Sequence, residues 1–286
     1  YDMPNIYELT VVAIAEQLGH EVHYANFVLE KKSFTDFDTY LMTDNSAVYC
    51  LWTVNLSMEL DVKALHLIKK YHPKAIVVFM GPGATYYTKN FLLYDNTFVV
   101  RGEPDLTFSE LLTCLAKGED YSQLKGISFL ADGKIKNNPT QDLIKNIDEL
   151  PFPSRHFIEN YHFINPKLKA SPYTTVVTSR NCPYKCIYCV PSSLTFAREI
   201  EYKRETGKKP PITYRSIENI AQELKLLHEK GYKAIGFMDD NFIVTVKRLK
   251  EIGKILKEYG FTWGCQARAD AINDEVAEIL KDTGCQ

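Results

Sequence analysis

Three cysteines within eight residues constrain this chain more than any other feature of its sequence. They are Cys182, Cys186 and Cys189, in the stretch CPYKCIYC. Thiolates are the ligands that iron takes in iron–sulfur clusters, and a cubane cluster ordinarily has four of them. Because no fourth cysteine follows closely, a [4Fe-4S] cluster held here would leave one iron open to a small molecule with an amine and a carboxylate. The stretch therefore predicts a metal cluster that does chemistry.

Other uses of the cysteines fit the sequence less well. A structural zinc site usually combines two Cys-x2-Cys or Cys/His pairs, and no second pair follows within the usual distance. A disulfide framework is disfavoured because the chain has seven cysteines, an odd number, and shows no secretory signal. We interpret the remaining four as core or neutral thiols: Cys50, Cys114, Cys265 and Cys285.

Composition narrows the class of protein. The chain has 286 residues, 45% of them hydrophobic and 24% charged, which is enough for two globular domains. A formal net charge of −2 gives no basic surface for nucleic acid, and no apolar run is long enough to span a membrane. We therefore expect neither nucleic acid nor membrane as a partner. The odd cysteine count and an oxygen-sensitive cluster predict a reducing, cytoplasmic setting.

Residues 1–118 alternate predicted helices and strands. A helix over residues 6–18 is followed by a strand around Val22, Tyr24 and Phe27. Buried strands are predicted over residues 47–52 and 75–80, and a further strand over residues 98–101. This pattern predicts a doubly wound, Rossmann-like α/β domain whose ligands lie at the carboxyl ends of parallel strands. Simple turns are the alternative for the glycines among the candidate ligand contacts. These candidates are Thr53, Asn55, Gly81, Gly83, Gly102 and Glu103.

Residues 119–172 form a predicted connector. It contains a hairpin that turns at Asp132-Gly133 and a proline-rich, extended strap over residues 150–154. From residue 173 onward, three strand–helix pairs predict a partial β/α barrel. Its first strand ends shortly before the cysteines, which places them at the face where active sites of such barrels lie.

The run VVTSRNCPYKCIYC, which starts at Val176, combines the C-x3-C-x2-C spacing with an aromatic residue, Tyr188, before the last cysteine. This run resembles the radical S-adenosylmethionine (SAM) superfamily. In that superfamily the open iron binds SAM, whose reductive cleavage yields a 5′-deoxyadenosyl radical, while the protein positions the cofactors. The resemblance implies a six-unit barrel, so about half of the barrel is absent from this sequence. We accordingly expect the chain to be truncated.

The barrel strands end in polar residues that could bind SAM. Two adjacent carboxylates after the second strand could receive its amino group or ribose hydroxyls, and an arginine after the third could meet its carboxylate. The resemblance also implies that the aromatic residue of the cysteine motif lies against adenine. Helix capping, a mutual Asp–Arg ion pair and an ordinary packed aromatic are the alternatives. The candidate SAM-binding residues are Tyr188, Asp239, Asp240, Asn241, Gln266 and Arg268.

The first domain, taken together with the cysteine motif, resembles the cobalamin-binding domain that precedes a subset of radical SAM enzymes. The resemblance rests on the arrangement of elements and on Gly102-Glu103-Pro104-Asp105 ahead of a helix. The cobalamin signature D-x-H-x-x-G does not occur in the sequence. The resemblance therefore implies cobalt without a protein lower ligand, or no cobalamin at all. With cobalamin bound, the strand-end residues 53, 55, 81, 83, 102 and 103 would be its contacts.

On this resemblance the chain is expected to be a radical SAM methyltransferase. Cobalamin would deliver a methyl group to an unactivated carbon or phosphorus centre of a small molecule, and flavodoxin or ferredoxin would supply single electrons. A non-methylating radical reaction, such as cyclisation or rearrangement, is the first alternative. An iron–sulfur protein without SAM chemistry is the second. No catalytic residue and no particular substrate can be named from the sequence.

Overall fold

The computed structural model of this chain describes residues 3–189 and 191–286. These residues form two compact units, and each unit draws on more than one segment of the chain. We call them the five-stranded unit and the three-stranded unit after their main sheets. The five-stranded unit contains Ile14–Ile144 and Ser193–Pro210, and the three-stranded unit contains residues 3–13, Lys145–Ser192 and Pro211–Gln286. The sequence predicted three consecutive segments instead.

The five-stranded unit is built on one mixed sheet. Its strands are β1 (Val48–Trp52), β2 (Ile76–Met80), β3 (Thr97–Val100), β4 (Ile127–Ala131) and β5 (Lys134–Asn137), in that spatial order. The first three are parallel, and β4 and β5 continue the sheet antiparallel. Strand β3 is buried at every position, as expected for a strand covered on both faces. The predicted mixed α/β class is confirmed.

Helices surround this sheet. Helix α2 begins at a capping box, in which the Ser33 hydroxyl accepts a hydrogen bond from the Asp36 N–H and the Asp36 carboxylate accepts one from the Ser33 N–H. Leu65, Phe79 and Phe91 lie in the apolar core between helices and strands. The helices are α1 (Ile6–Gln17), which the two units share, α2 (Phe34–Thr43), α3 (Met58–Tyr71), α4 (Pro82–Tyr86), α5 (Thr88–Phe91), α6 (Pro104–Lys117) and α7 (Ser193–Thr206).

The strand predicted around residues 22–27 is wrong. This segment is irregular, although its burial alternates from residue to residue. Alternation predicts which side chains face inward, but a strand also needs a neighbour for its backbone N–H and C=O groups. Among the described strands, β1 pairs only with β2 and lies at the edge of the sheet. Residues 22–27 form no ladder with it.

The predicted hairpin at Asp132-Gly133 forms, and it joins β4 to β5. Both turn residues have positive φ, 53° and 68°, which matches the primed turns of two-residue hairpins. Because β4 pairs with β3, the hairpin extends the first sheet. This pairing explains why the five-stranded unit continues to Ile144.

The three-stranded unit contains the predicted strand–helix pairs. Its parallel sheet has the order β10-β9-β6, from β6 (Tyr173–Val176), β9 (Ala234–Phe237) and β10 (Thr262–Gly264). Ser216, Thr245 and Asn273 cap the helices that accompany these strands. The remaining elements are β7 (Ser179–Arg180), β8 (Thr213–Tyr214), α8 (Ile217–Glu229), α9 (Val246–Glu258), α10 (Asp274–Asp282) and three short 3-10 helices at Ile147–Glu149, Arg155–Ile158 and Ala269–Ala271.

The beginning of the chain packs into the three-stranded unit. The Ser154 N–H donates to the Leu9 carbonyl at 3.0 Å, and the Thr175 hydroxyl donates to the Pro4 carbonyl at 3.2 Å. Residues 3–13 therefore belong with a sheet that lies more than 150 positions further along the chain in sequence. Within residues 3–189 and 191–286, every helix is too short or too polar to span a bilayer.

Candidate functional site at the cysteine loop

The cysteine loop, residues 182–189, follows β6 and the short strand β7. Cys182 and Cys186 are partly exposed, and Cys189 is exposed. The Cys189 N–H donates to the Cys186 carbonyl at 3.1 Å, which forms a tight turn between these two cysteines. The loop lies beyond the carboxyl end of β6, the first strand of the parallel sheet, as the sequence predicted.

The donors of this loop fit an iron–sulfur cluster in their chemistry. Three thiols on one short loop are the ligands that such clusters prefer. Among the described residues, no three His, Cys, Asp or Glu side chains are gathered closely enough to hold a metal ion in this conformation. The cysteine ligand set is therefore supported by residue type and by location in the fold, and its geometry with a cluster bound stays a prediction.

Asp239, which follows β9, is almost fully buried and its carboxylate is already engaged. It accepts the Thr178 N–H at 3.0 Å, the Thr178 hydroxyl at 2.8 Å and the Ser179 hydroxyl. Burial raises the pKa of Asp239 above its usual range, although these donors and Arg248 act in the opposite direction. The carboxylate thus holds the turn before the cysteine loop.

The neighbouring Asp240 contacts the other side of the loop. Its Oδ1 atom accepts the Ser192 N–H at 2.6 Å. The Ser192 side chain also hydrogen-bonds to the hydroxyl of Tyr7, and burial raises the pKa of Tyr7 well above its ordinary value. Sequence reasoning did not identify Tyr7 as a site residue, because its position in α1 carries no motif.

Asn241 has an unfilled hydrogen-bond acceptor. The residue is 3% exposed, its Nδ2 atom donates to the Ile243 carbonyl at 3.3 Å, and its buried Oδ1 accepts no hydrogen bond from any described residue. A buried acceptor without a donor costs about 1–3 kcal/mol. A ligand N–H or O–H group at this strand end could donate a hydrogen bond to Oδ1 of Asn241. Gln266 is exposed, and its backbone carbonyl accepts the Phe242 N–H.

Arg268 contacts the cysteine loop directly. Its Nη1 atom lies 3.3 Å from the Cys186 Sγ atom, and its guanidinium lies 4.0 Å from the centre of the Tyr184 ring. It also forms an ion pair with Asp270, which raises the pKa of Arg268 above its ordinary value. Tyr188 is 86% exposed, so its ring is not packed in the core.

The candidate cobalamin contacts lie in the five-stranded unit, at the shared carboxyl edge of β1, β2 and β3. A Cβ atom at Gly81 would lie 2.7 Å from the Thr53 carbonyl, and one at Gly83 would lie 2.8 Å from Thr53 Cγ2. Close approach to residue 53 therefore accounts for both glycines without a ligand. Thr53 is buried, and Asn55 is exposed at this edge. The position of this edge in the fold and the exposed side chain of Asn55 are both suited to a ligand.

Gly102 and Glu103 contact helix α7 within the same unit. A Cβ atom at Gly102, where φ is 73°, would lie 3.1 Å from the side chain of Glu201. Glu103 Oε2 accepts the Ile144 N–H at 2.9 Å, and its Oε1 lies 3.6 Å from Arg198 Nε. Arg101 donates to Glu201 at 3.1 Å, and all four charged side chains are buried. Gly102 and Glu103 therefore pack against helix α7, a contact that the sequence did not predict.

The three-stranded unit thus combines a parallel β/α sheet with a C-x3-C-x2-C loop beyond the first strand of that sheet. Residues 176–286 match the family described as the radical SAM superfamily. The match covers the cysteine loop and the strand–helix pairs that follow it, in agreement with the resemblance that the cysteine spacing carried. The remaining comparisons extend the similarity to nearly the whole chain.

A curated relative, an uncharacterized methyltransferase of Pyrococcus horikoshii, is 31% identical over 96% of this chain and 55% of its own length. Two solved structures share the fold. The radical SAM methyltransferase TsrM of Kitasatospora setae, with cobalamin and a [4Fe-4S] cluster bound, has a TM-score of 0.71 and 15% identity over 100% of this chain and 55% of its own. The cobalamin-dependent SAM radical enzyme OxsB, with aqua-cobalamin and SAM bound, has a TM-score of 0.74 and 18% identity over 99% of this chain and 40% of its own. The chain thus spans about half the length of the proteins it matches.

Proposed function

We propose that this protein is a cobalamin-dependent radical SAM methyltransferase that acts on an unactivated carbon or phosphorus centre of a small molecule. The observation that carries the proposal is the cysteine loop beyond the first parallel strand, inside the segment that matches the radical SAM superfamily. Methyl transfer and cobalamin are supported by the relatives, which are named as methyltransferases or as cobalamin-dependent enzymes. Flavodoxin or ferredoxin is the proposed electron donor.

In this proposal Cys182, Cys186 and Cys189 would hold a [4Fe-4S] cluster. When bound, the cluster supplies the electron for SAM cleavage and cobalamin carries the methyl group. Arg268 places positive charge beside the sulfur of Cys186, and Asn241 offers a buried acceptor to a ligand N–H or O–H group. The exposed ring of Tyr188 is available to lie against the adenine of SAM.

The cobalamin contacts proposed from the sequence need revision in their roles. Asn55 is exposed at the strand edge and is available to a ligand. Gly81 and Gly83 would shape the edge through their contacts with Thr53. Gly102 and Glu103 would position helix α7 by packing against it.

Anaerobic reconstitution with iron, sulfide and hydroxocobalamin tests the proposal. We expect an iron–sulfur absorption band, corrinoid bands retained after desalting, and 5′-deoxyadenosine from SAM under reducing conditions. Label from methyl-labelled SAM should appear in the corrinoid fraction. Cys186→Ala should lose the cluster and SAM cleavage, while Cys114→Ala, on helix α6, should keep both.

Each failure has a separate meaning. SAM cleavage without retained corrinoid or label would favour cyclisation or rearrangement over methyl transfer. A cluster without SAM cleavage would favour an iron–sulfur protein of another kind. Full cleavage activity in Cys186→Ala would overturn the proposed ligand set.

A further inference from the structure

The two carboxylates that follow β9 contact opposite ends of the cysteine loop. Asp239 accepts three hydrogen bonds from Thr178 and Ser179, on the side where the chain enters the loop. Asp240 accepts the Ser192 N–H at 2.6 Å, on the side where the chain leaves it. One pair of adjacent residues, just after β9, thus contacts both ends of the loop.

The spacing of these contacts is symmetric along the chain. Ser179 precedes Cys182 by three residues, and Ser192 follows Cys189 by three. Both anchor points therefore lie close along the chain to the outer cysteines. A loop whose ends are joined loses less conformational entropy when its middle becomes ordered.

The carboxylate of Asp239 has little capacity left for a ligand. Its residue is 1% exposed, and Oδ1 and Oδ2 both already accept hydrogen bonds from the turn at Thr178. The contact of Asp240 has a second support, because the Ser192 side chain also hydrogen-bonds to the hydroxyl of Tyr7. Hydrogen bonds to an ionised acceptor are about twice as strong as neutral ones, so these contacts suit an anchoring role.

We infer that Asp239 and Asp240 are positioning residues that close the base of the cysteine loop, with Tyr7 supporting the second anchor. This role differs from the direct contact with SAM that the sequence suggested for the two carboxylates. The anchors hold the loop ends beside the residues that follow β9, which limits the conformations from which the three thiols have to gather around a cluster. The inference deepens the proposed function, but its first test below does not depend on a cluster.

The first test is limited trypsin cleavage of the apoprotein after Lys185, followed by mass spectrometry of the released peptides. Lys185 is exposed in the middle of the loop. Asp239→Asn and Asp240→Asn should be cleaved about tenfold faster than wild type, as expected when a hydrogen bond to a charged group is lost from a local opening equilibrium. Asp282→Asn, which removes an exposed carboxylate of the same unit, should be cleaved at the wild-type rate.

The second test compares reconstituted iron content with SAM affinity. Both anchor variants should bind less iron per chain than wild type and Asp282→Asn. The inference is overturned if Asp239→Asn and Asp240→Asn keep wild-type cleavage rates and iron content but bind SAM more weakly, because that result assigns them to the ligand. If wild type itself takes up no cluster, the proposed function fails while the trypsin result still decides the anchoring role.

Milder variants cover the case in which Asp239→Asn does not fold. Thr178→Val removes one donor to Asp239 and keeps the side-chain volume, and Tyr7→Phe removes the hydroxyl that supports Ser192. Each should accelerate cleavage after Lys185 in the same direction but by a smaller factor. Wild-type cleavage in both would contradict the anchoring role.

Discussion

The Nη1 atom of Arg268 lies 3.3 Å from the Sγ atom of Cys186, so an arginine after the third parallel strand contacts a cysteine of the loop that follows the first. The sequence suggested that Arg268 binds the carboxylate of SAM. That role stays a prediction, and in the structure Arg268 contacts a thiol that we propose as a cluster ligand. Hydrogen bonds to ligand sulfurs are among the factors that set the reduction potential of iron–sulfur clusters.

Arg268→Gln should therefore lower the midpoint potential of the reconstituted cluster. Loss of a donor to a negatively charged sulfur destabilises the reduced state. Because Arg268 is partly exposed and solvent screens the contact, we expect a shift on the order of tens of millivolts at most. A redox titration followed by electron paramagnetic resonance measures the shift. Lys250→Gln, an exposed change of equal charge, is the control, and equal potentials in both variants would refute the contact.

Arg101→Met should strongly destabilise the five-stranded unit. The Arg101–Glu201 pair is buried, with each side chain 3% exposed, and removal of Arg101 leaves the buried carboxylate paired with a largely exposed cation, Arg204. Such losses cost about 3–5 kcal/mol. Arg204→Met removes a second, 53% exposed partner of the same Glu201 and should cost less than about 1 kcal/mol. Urea unfolding compares the two, and equal costs would mean that Arg101 does not stabilise the buried carboxylate.

Gly102→Ala should cost more than Gly118→Ala. Both glycines have positive φ, 73° and 66°, so alanine pays a backbone penalty of about 1–2 kcal/mol at either position. Only at Gly102 would the new Cβ atom lie 3.1 Å from another side chain, that of Glu201 on α7. The difference in the free energy of unfolding between the variants isolates this crowding. No difference would show that α7 shifts to accommodate the methyl group.

Glu223 should make the three-stranded unit sensitive to acid. Burial alone would raise the pKa of Glu223, but Arg155 and Arg215 hold that pKa below its ordinary value of 4.5. A depressed pKa stabilises the folded state above pH 4.5, and this stabilisation is lost as the pH falls through the folded-state pKa. Glu223→Gln should therefore destabilise the protein by about 3 kcal/mol at pH 7 and by much less in acid.

Thermal unfolding measured across this pH range checks the prediction. Glu229→Gln, on the same helix α8 but exposed, provides the control and should change stability little at any pH. If the difference in unfolding temperature between Glu223→Gln and wild type stayed constant with pH, that result would contradict the depressed pKa of Glu223.

Local sequence patterns predicted most of the secondary structure. The runs predicted over residues 47–52 and 75–80 form β1 and β2, although no residue of β1 is buried, and the side chains of Ser216 and Asn273 cap the helices α8 and α10. These features depend on contacts between residues close in the chain, so periodicity and capping chemistry are sufficient to predict them. The strand around residues 22–27 failed because a strand also requires a partner that the periodicity does not reveal.

The sequence by itself determined the chemistry of the three cysteines, because thiolate donors and their spacing are properties of a short segment. Only the tertiary structure decided what the polar strand-end residues contact. Asp239 contacts Thr178, which lies 61 positions earlier in the sequence, and Arg268 contacts Cys186, which lies 82 positions earlier. Glu103 and Arg198 likewise pair within one unit although they are far apart in the chain. Such pairs form when packing brings distant strand and helix ends together, and the resulting burial determines which carboxylates act as anchors and which atoms remain for a ligand.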